Sequence, residues 1–162
     1  MIFGTSRPQN INIAKRLGAT ESYYQFPFFE ASTPVWSYNN QIPGPIIRAQ
    51  EGTTLVVDFL NKLQEPSSIH WHGLRNDNAM DGVPGVTQDP VKPGENFIYR
   101  LKLEEAGTFW YHPHFNSSEQ LERGLKGVFI VEETDKLPWS RDWWAPGKVS
   151  PSVSCLNIPG SG

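Results

Sequence analysis

Residues Asn96–Leu103 read NFIYRLKL: Phe97, Tyr99, Leu101 and Leu103 occupy one set of alternate positions, and Asn96, Arg100 and Lys102 fall on the other. Successive side chains of a strand point to opposite faces, so this period of two marks a strand with one face in a core. Working downstream, Thr108–His112 (TFWYH) and Gly127–Glu132 (GVFIVE) carry the same signature. Upstream, Ser68–Gly73 (SIHWHG) alternates, and Thr53–Leu60 (TTLVVDFL), β-branched and mostly apolar, reads as a buried strand. Thr33–Tyr38 and Pro45–Ala49 flank a Pro-Gly-Pro corner at 43–45, and INIAKRL at 11–17 fits an edge strand or a short helix equally well. Ser117–Arg123 (SSEQLER) opens with serines suited to an N-cap and predicts one short helix. Residues 74–95 form a long loop punctuated by Asp81-Gly82, Pro84-Gly85 and Pro93-Gly94; a loop of that length in a compact domain is more often functional than idle. The expectation is an all-β Greek-key sandwich or barrel of seven to eight strands, spanning 1–134. Residues 135–162, with Trp139, Trp143 and Trp144, lose the pattern and predict an irregular tail rather than a separate domain.

Composition narrows the function. The 162 residues include 14 Gly and 14 Pro, as a turn-rich β chain requires, and the net charge is −3. That balance, with no basic run, excludes the electrostatic footprint of a nucleic-acid binder. No apolar run approaches the ~20 residues of a membrane-spanning helix. Cys155 is the single cysteine, so no intrachain disulfide staples the fold. The first residues lack the charged and apolar regions of a secretory signal. The compartment therefore stays open: cytoplasmic, or periplasmic or extracellular if a signal has been removed.

All four histidines fall into two His-x-His units, His70/His72 and His112/His114. Residues i and i+2 on a strand project from the same face, about 6–7 Å apart. Each pair can therefore offer two imidazoles to one metal or to two neighbouring ones. A single such pair arises by chance; two, with no other histidine in the chain, point to a metal site. With no Cys or Met beside the pairs, an all-imidazole donor set follows the Irving–Williams order and favours copper over zinc.

The segments SIHWHGLRNDNAMDGVPGVTQDPVKPGE and AGTFWYHPHFNSSEQLERGLKGVFIVEE, with IPGPIIRAQEGTTLVVDFLNKL ahead of them, closely resemble the first cupredoxin domain of the multicopper oxidases, the laccase-like enzymes. The likeness covers about residues 34–134. It implies a cupredoxin fold and half the ligands of a type 2/type 3 copper cluster at which dioxygen is reduced to water while a small phenolic-type substrate is oxidised. By position, His70 resembles the type 2 ligand, and His72, His112 and His114 resemble type 3 ligands, the last on the opposite ion. Asp81 lies where the family carries an acid that assists proton delivery; as Asp81-Gly82 it also reads as a common turn dipeptide. Trp71 and Pro113 are expected to point away from the metal and pack. Asn116-Ser117-Ser118 matches a glycosylation sequon, a frequent triplet to which no role is assigned.

The resemblance also exposes a gap. The family's later domain, with its His-x-x-His-x-His and His-Cys-His units and its type 1 copper, has no counterpart here, and Cys155 has no histidine after it. A homo-oligomer or a partner cupredoxin domain would supply the missing ligands. A copper-sequestering module without turnover and a truncated remnant of a longer oxidase are the alternatives.

Overall fold

The computed structural model describes residues 12–28 and 30–134; the expected tail at 135–162 and Cys155 lie outside them. Eight strands appear among the described residues: β1 (Asn12–Tyr24), β2 (Thr33–Tyr38), β3 (Gly44–Gln50), β4 (Thr54–Asn61), β5 (His70–His72), β6 (Asn96–Lys102), β7 (Gly107–His112) and β8 (Gly127–Glu132). They form two four-stranded sheets, ordered β2-β1-β4-β6 and β3-β8-β7-β5. The architecture is therefore a sandwich. Both sheets are mixed, since β1 runs parallel to β4 and β3 parallel to β8.

The alternation that marked β6 continues across the ladder. In β4, Leu55, Val57, Phe59 and Asn61 are buried while Thr54, Val56, Asp58 and Leu60 are half-buried. The TTLVVDFL run is thus closed on one face rather than buried throughout. Residues 12–17 of the INIAKRL segment form strand, but not at an edge: β1 extends to Tyr24 and lies between β2 and β4. Its long outer run, with Lys15, Arg16 and Glu21 exposed, disguises a strand whose Leu17 and Ala19 are buried.

The core between the sheets is aromatic. Trp71, Tyr38, Tyr99, Tyr111, Phe59 and Phe129 are its largest fully buried side chains. A fully buried Leu or Phe contributes about 1.5–3 kcal/mol, so these rings and the leucines around them dominate stability. Two of the tyrosine hydroxyls find partners in so dry a place, while that of Tyr38 has none among the described residues. Tyr111 donates to the Pro45 carbonyl at 2.7 Å, tying β7 to β3, and the Tyr99 hydroxyl accepts the Ile69 N–H at 2.9 Å, beside His70. β8 passes close to Tyr111 only because residue 127 is glycine; a Cβ there would collide with the hydroxyl end of the ring.

Buried polar side chains tie the connecting segments to this core. Asn61, fully buried, donates to the carbonyls of Glu65 and Val91 and accepts the Leu63 N–H. It fixes both ends of the long chain excursion that carries β5. The predicted helix is present as α1 (Ser117–Glu122), although its N-cap is Asn116, in the left-handed region at φ 41°, rather than a serine. Gln120 of α1 is fully buried: its amide donates to Glu65 and Pro66 and accepts from the Ser67 hydroxyl. Among the described residues, no helix is long and apolar enough to cross a membrane.

Candidate metal centre

β5 and β7 are neighbours, and their register sets His70 directly opposite His112 and His72 opposite Trp110. Period two then puts both imidazoles of β5 on the face that carries His112, while Trp71, between them, turns into the core with no exposed surface. β7 ends at His112 because Pro113 has no N–H for the ladder. The chain turns there, and His114 is held by its own N–H donating to the Ser68 hydroxyl at 3.2 Å. Ser68 lies two residues before His70, so the two histidine pairs are stitched together through backbone as well as strand pairing.

All four rings converge. The His70 ring centroid lies 5.7 Å from that of His72, 5.4 Å from His112 and 4.7 Å from His114. His112 is central, with His72 at 5.6 Å and His114 at 5.4 Å. One ligand nitrogen from each of His70, His72 and His112 fits within a span of 4.8 Å. His114 stands at the edge of that group, over His70.

Hydrogen bonds decide which nitrogens are free. His70 Nδ1 lies 2.7 Å from the Asp81 carbonyl oxygen and His112 Nδ1 lies 3.0 Å from the Pro113 carbonyl oxygen. A carbonyl can only accept, so both Nδ1 atoms carry the proton and both Nε2 atoms present lone pairs. His112 Nε2 faces His72 Nδ1 at 3.4 Å. Two nitrogens on one metal, each about 2.0–2.1 Å from it, lie about 2.9–3.4 Å apart. The spacing suits a shared ion; without one, His72 Nδ1–H can donate to the His112 Nε2 lone pair.

Electrostatics favour the neutral imidazole at His112 and His114. Burial lowers the His112 pKa to about 4, with the neighbouring His70, His114 and His72 reinforcing the shift against the Pro113 hydrogen bond. His114 is lowered as well, chiefly by burial and by His70. Neutral imidazole is the form a metal needs. A borderline-soft, all-nitrogen donor set of this kind fits copper.

Of the residues singled out from sequence, the four histidines are brought together, and Asp81 is brought to His70, its Oδ1 at 3.4 Å from Nδ1. Sequence reasoning missed Trp110, whose ring stacks on His112 at 4.0 Å between centroids and lies 5.0 Å from His72. The signal was available, since Trp110 is two residues before His112 on the same strand face. It also missed the carbonyls of Asp81 and Pro113, which no side-chain pattern discloses.

Comparison with known proteins identifies the family. A family model described as multicopper oxidase matches residues 21–136. Laccase-1 of Cryptococcus neoformans var. grubii is 38% identical over 143 residues, covering 86% of this chain and 21% of that protein. The L-ascorbate oxidase of Nicotiana tabacum is 39% identical over 139 residues, covering 77% of this chain and 24% of its own. A solved multicopper oxidase from Pseudomonas thermotolerans superposes with a TM-score of 0.78 at 45% identity, over 82% of this chain and 32% of that one. The chain thus spans between a fifth and a quarter of the length of these curated relatives. Fold, donor set and family model agree: this chain belongs to the multicopper oxidase family and carries a cupredoxin domain of it, with copper as the implied cofactor.

Proposed function

We propose that the domain supplies one half of a laccase-like, oxygen-reducing copper centre, with His70, His72, His112 and His114 as ligands. The observation that carries this reading is the convergence of His72 Nδ1 and His112 Nε2 to 3.4 Å, beside the Nε2 lone pair of His70. Bound copper supplies the one-electron steps that couple oxidation of a small phenolic-type substrate to reduction of dioxygen. The chain's own residues do the rest. His72 Nδ1 and His112 Nε2 would hold one ion, His114 would serve the opposite type 3 ion, and His70 Nε2 would serve the type 2 ion. The carbonyls of Asp81 and Pro113 keep His70 and His112 in the ligating tautomer. The Asp81 carboxylate, half-buried near His70, would take up and pass on protons toward dioxygen, a role its 3.4 Å approach to His70 Nδ1 supports. Trp110 covers one face of His112 and limits water there.

His72 and His114 are exposed. That open edge is where further ligands must enter, from a second copy of this chain or from a partner cupredoxin domain. Copper titration alongside solution mass tests this arm: association on loading is the expected result, and one copper per monomer with no association refutes it. Oxygen consumption with a phenolic substrate tests turnover. Activity should vanish in His112→Ala/His114→Ala; activity unchanged by that double substitution means the copper site is not the catalyst. A second reading is a copper-holding module without turnover, which needs only the four imidazoles that the described residues already bring together. Full copper uptake with no oxygen consumption, with or without the partner, would select it.

A further inference from the structure

The segment Asn78–Gly82 has no metal ligand, yet it is anchored at three successive residues. Asn78–Met80 forms a single 3-10 turn, closed by Met80 N–H to the Asp77 carbonyl at 2.8 Å and Asp81 N–H to the Asn78 carbonyl at 3.2 Å. The Met80 side chain packs against the core, and its thioether sulfur accepts the outward N–H of Arg100, on edge strand β6, at 3.3 Å. Asp81 follows with its carbonyl 2.7 Å from His70 Nδ1. Gly82 is buried with φ 76°, and a Cβ there would fall on the carbonyl oxygen of Ile69, the residue before His70. Backbone therefore lies against backbone at Gly82, a closeness and a φ that no other residue permits.

From this juxtaposition we infer that Met80 and Gly82 are positioning residues: they dock the 78–82 segment between β6 and β5 so that the Asp81 main-chain carbonyl, not its carboxylate, sets the tautomer of His70. Two distances support the distinction. The carbonyl is within ordinary hydrogen-bond range, whereas the carboxylate oxygen at 3.4 Å is beyond it. A carbonyl is also constant in charge, so it holds Nδ1–H at every pH at which the fold persists. Outer-shell partners of this kind orient a ligating imidazole and commonly change metal affinity about 10–100-fold. Here the orienting atom belongs to the main chain, so its control passes to the neighbours that fix the main chain. Met80 and Gly82 do this from opposite sides. The inference rests on the proposed ligand role of His70 only for its consequence; the tautomer itself is a property of the metal-free chain.

The test is therefore made without metal. In protein labelled with nitrogen-15 at histidine, long-range proton–nitrogen spectra separate Nδ1–H from Nε2–H rings, and only four rings contribute. His70 should show the Nδ1–H pattern in the wild-type chain and in Asp81→Asn, which keeps the carbonyl. Gly82→Ala should lose that pattern, and Met80→Ala should move His70 part-way toward the Nε2–H form. Should Gly82→Ala fail to fold, Met80→Ala carries the same decision, because it removes one anchor from a solvated turn and leaves Gly82 in place. Loss of the pattern in Asp81→Asn overturns the assignment to the carbonyl, and its persistence in both Gly82→Ala and Met80→Ala overturns the role of the segment. Failure of copper uptake with the tautomer pattern intact would count against the proposed function and leave this inference standing.

Discussion

The two His-x-His segments have the same spacing and are built differently. His70-Trp71-His72 lies wholly on β5, so strand geometry alone aligns its two imidazoles. His112-Pro113-His114 straddles the end of β7, and the second imidazole is placed by a turn and by Ser68. A second division cuts across the first. His70 and His112 each donate Nδ1–H to a main-chain carbonyl, whereas His72 and His114 are exposed, and neither ring nitrogen of His114 hydrogen-bonds to another described residue. The inner pair is preorganised and the outer pair adjustable. Under the proposed function, that arrangement would let the fixed imidazoles set the position of the metal while the exposed ones meet a completing surface.

The sharpest way to break the comparison is to remove one imidazole of each kind. His112 touches the other three rings, so His112→Ala should weaken copper binding by more than the about 10–100-fold expected from loss of an outer-shell partner. His114→Ala should cost less in the isolated chain. Competition against a copper chelator measures both; equal losses would show that inner and outer ligands are not distinct.

Next in size is the support beneath the second segment. Gln120→Leu leaves the Ser67 hydroxyl, the Glu65 carboxylate and the Pro66 carbonyl without their buried partner. At about 1–3 kcal/mol per orphaned group, partly relieved by relaxation, a loss of about 3 kcal/mol in denaturant unfolding is expected. A change under about 1 kcal/mol would mean that α1 is not what carries the 65–68 segment.

Much of this was legible beforehand, and unevenly. Period two disclosed β6, β7 and β8 because each has one face in the core, whereas β4 was disclosed by its β-branched, mostly apolar run and its open face was not. β1 was half-disclosed, since its exposed Lys15, Arg16 and Glu21 dilute the pattern that Leu17 and Ala19 set. The four histidines were legible as a donor set because side-chain identity is what sequence records. Gln120 and the carbonyls of Asp81 and Pro113 were not, because burial of a polar side chain and the aim of a main-chain oxygen depend on pairings up to 55 residues apart.

The pH dependence sharpens the inner–outer contrast. His112 has its pKa lowered to about 4 in the folded chain, against about 6.5 unfolded. Between those values the unfolded chain binds more protons than the folded one, so stability rises with pH across that window. Metal-free protein should therefore lose stability as pH falls from about 6.5 toward 4, and His112→Gln should flatten that part of the profile. His114, also lowered but exposed, should contribute less, which a matching His114→Gln profile would check.

The smallest effect belongs to the surface of the same helix that carries Gln120. Arg123 pairs with Glu119 at 2.8 Å across one helical turn and lies over the Trp36 ring at 4.9 Å. Both partners of the ion pair are more than two-fifths exposed, at 43% and 45%, so water screens the attraction and mobile side chains lose entropy in making it. The ring contact adds at most about 1 kcal/mol at an exposed site. Arg123→Ala should thus cost about 0.5–1 kcal/mol, and the ion-pair share should vanish in high salt. The Trp36 N–H donates to the Arg123 carbonyl at 2.9 Å, a bond that alanine keeps. A loss as large as that of Gln120→Leu would place the anchoring of α1 on its outer face, and with it the support of His114, instead of in the buried amide.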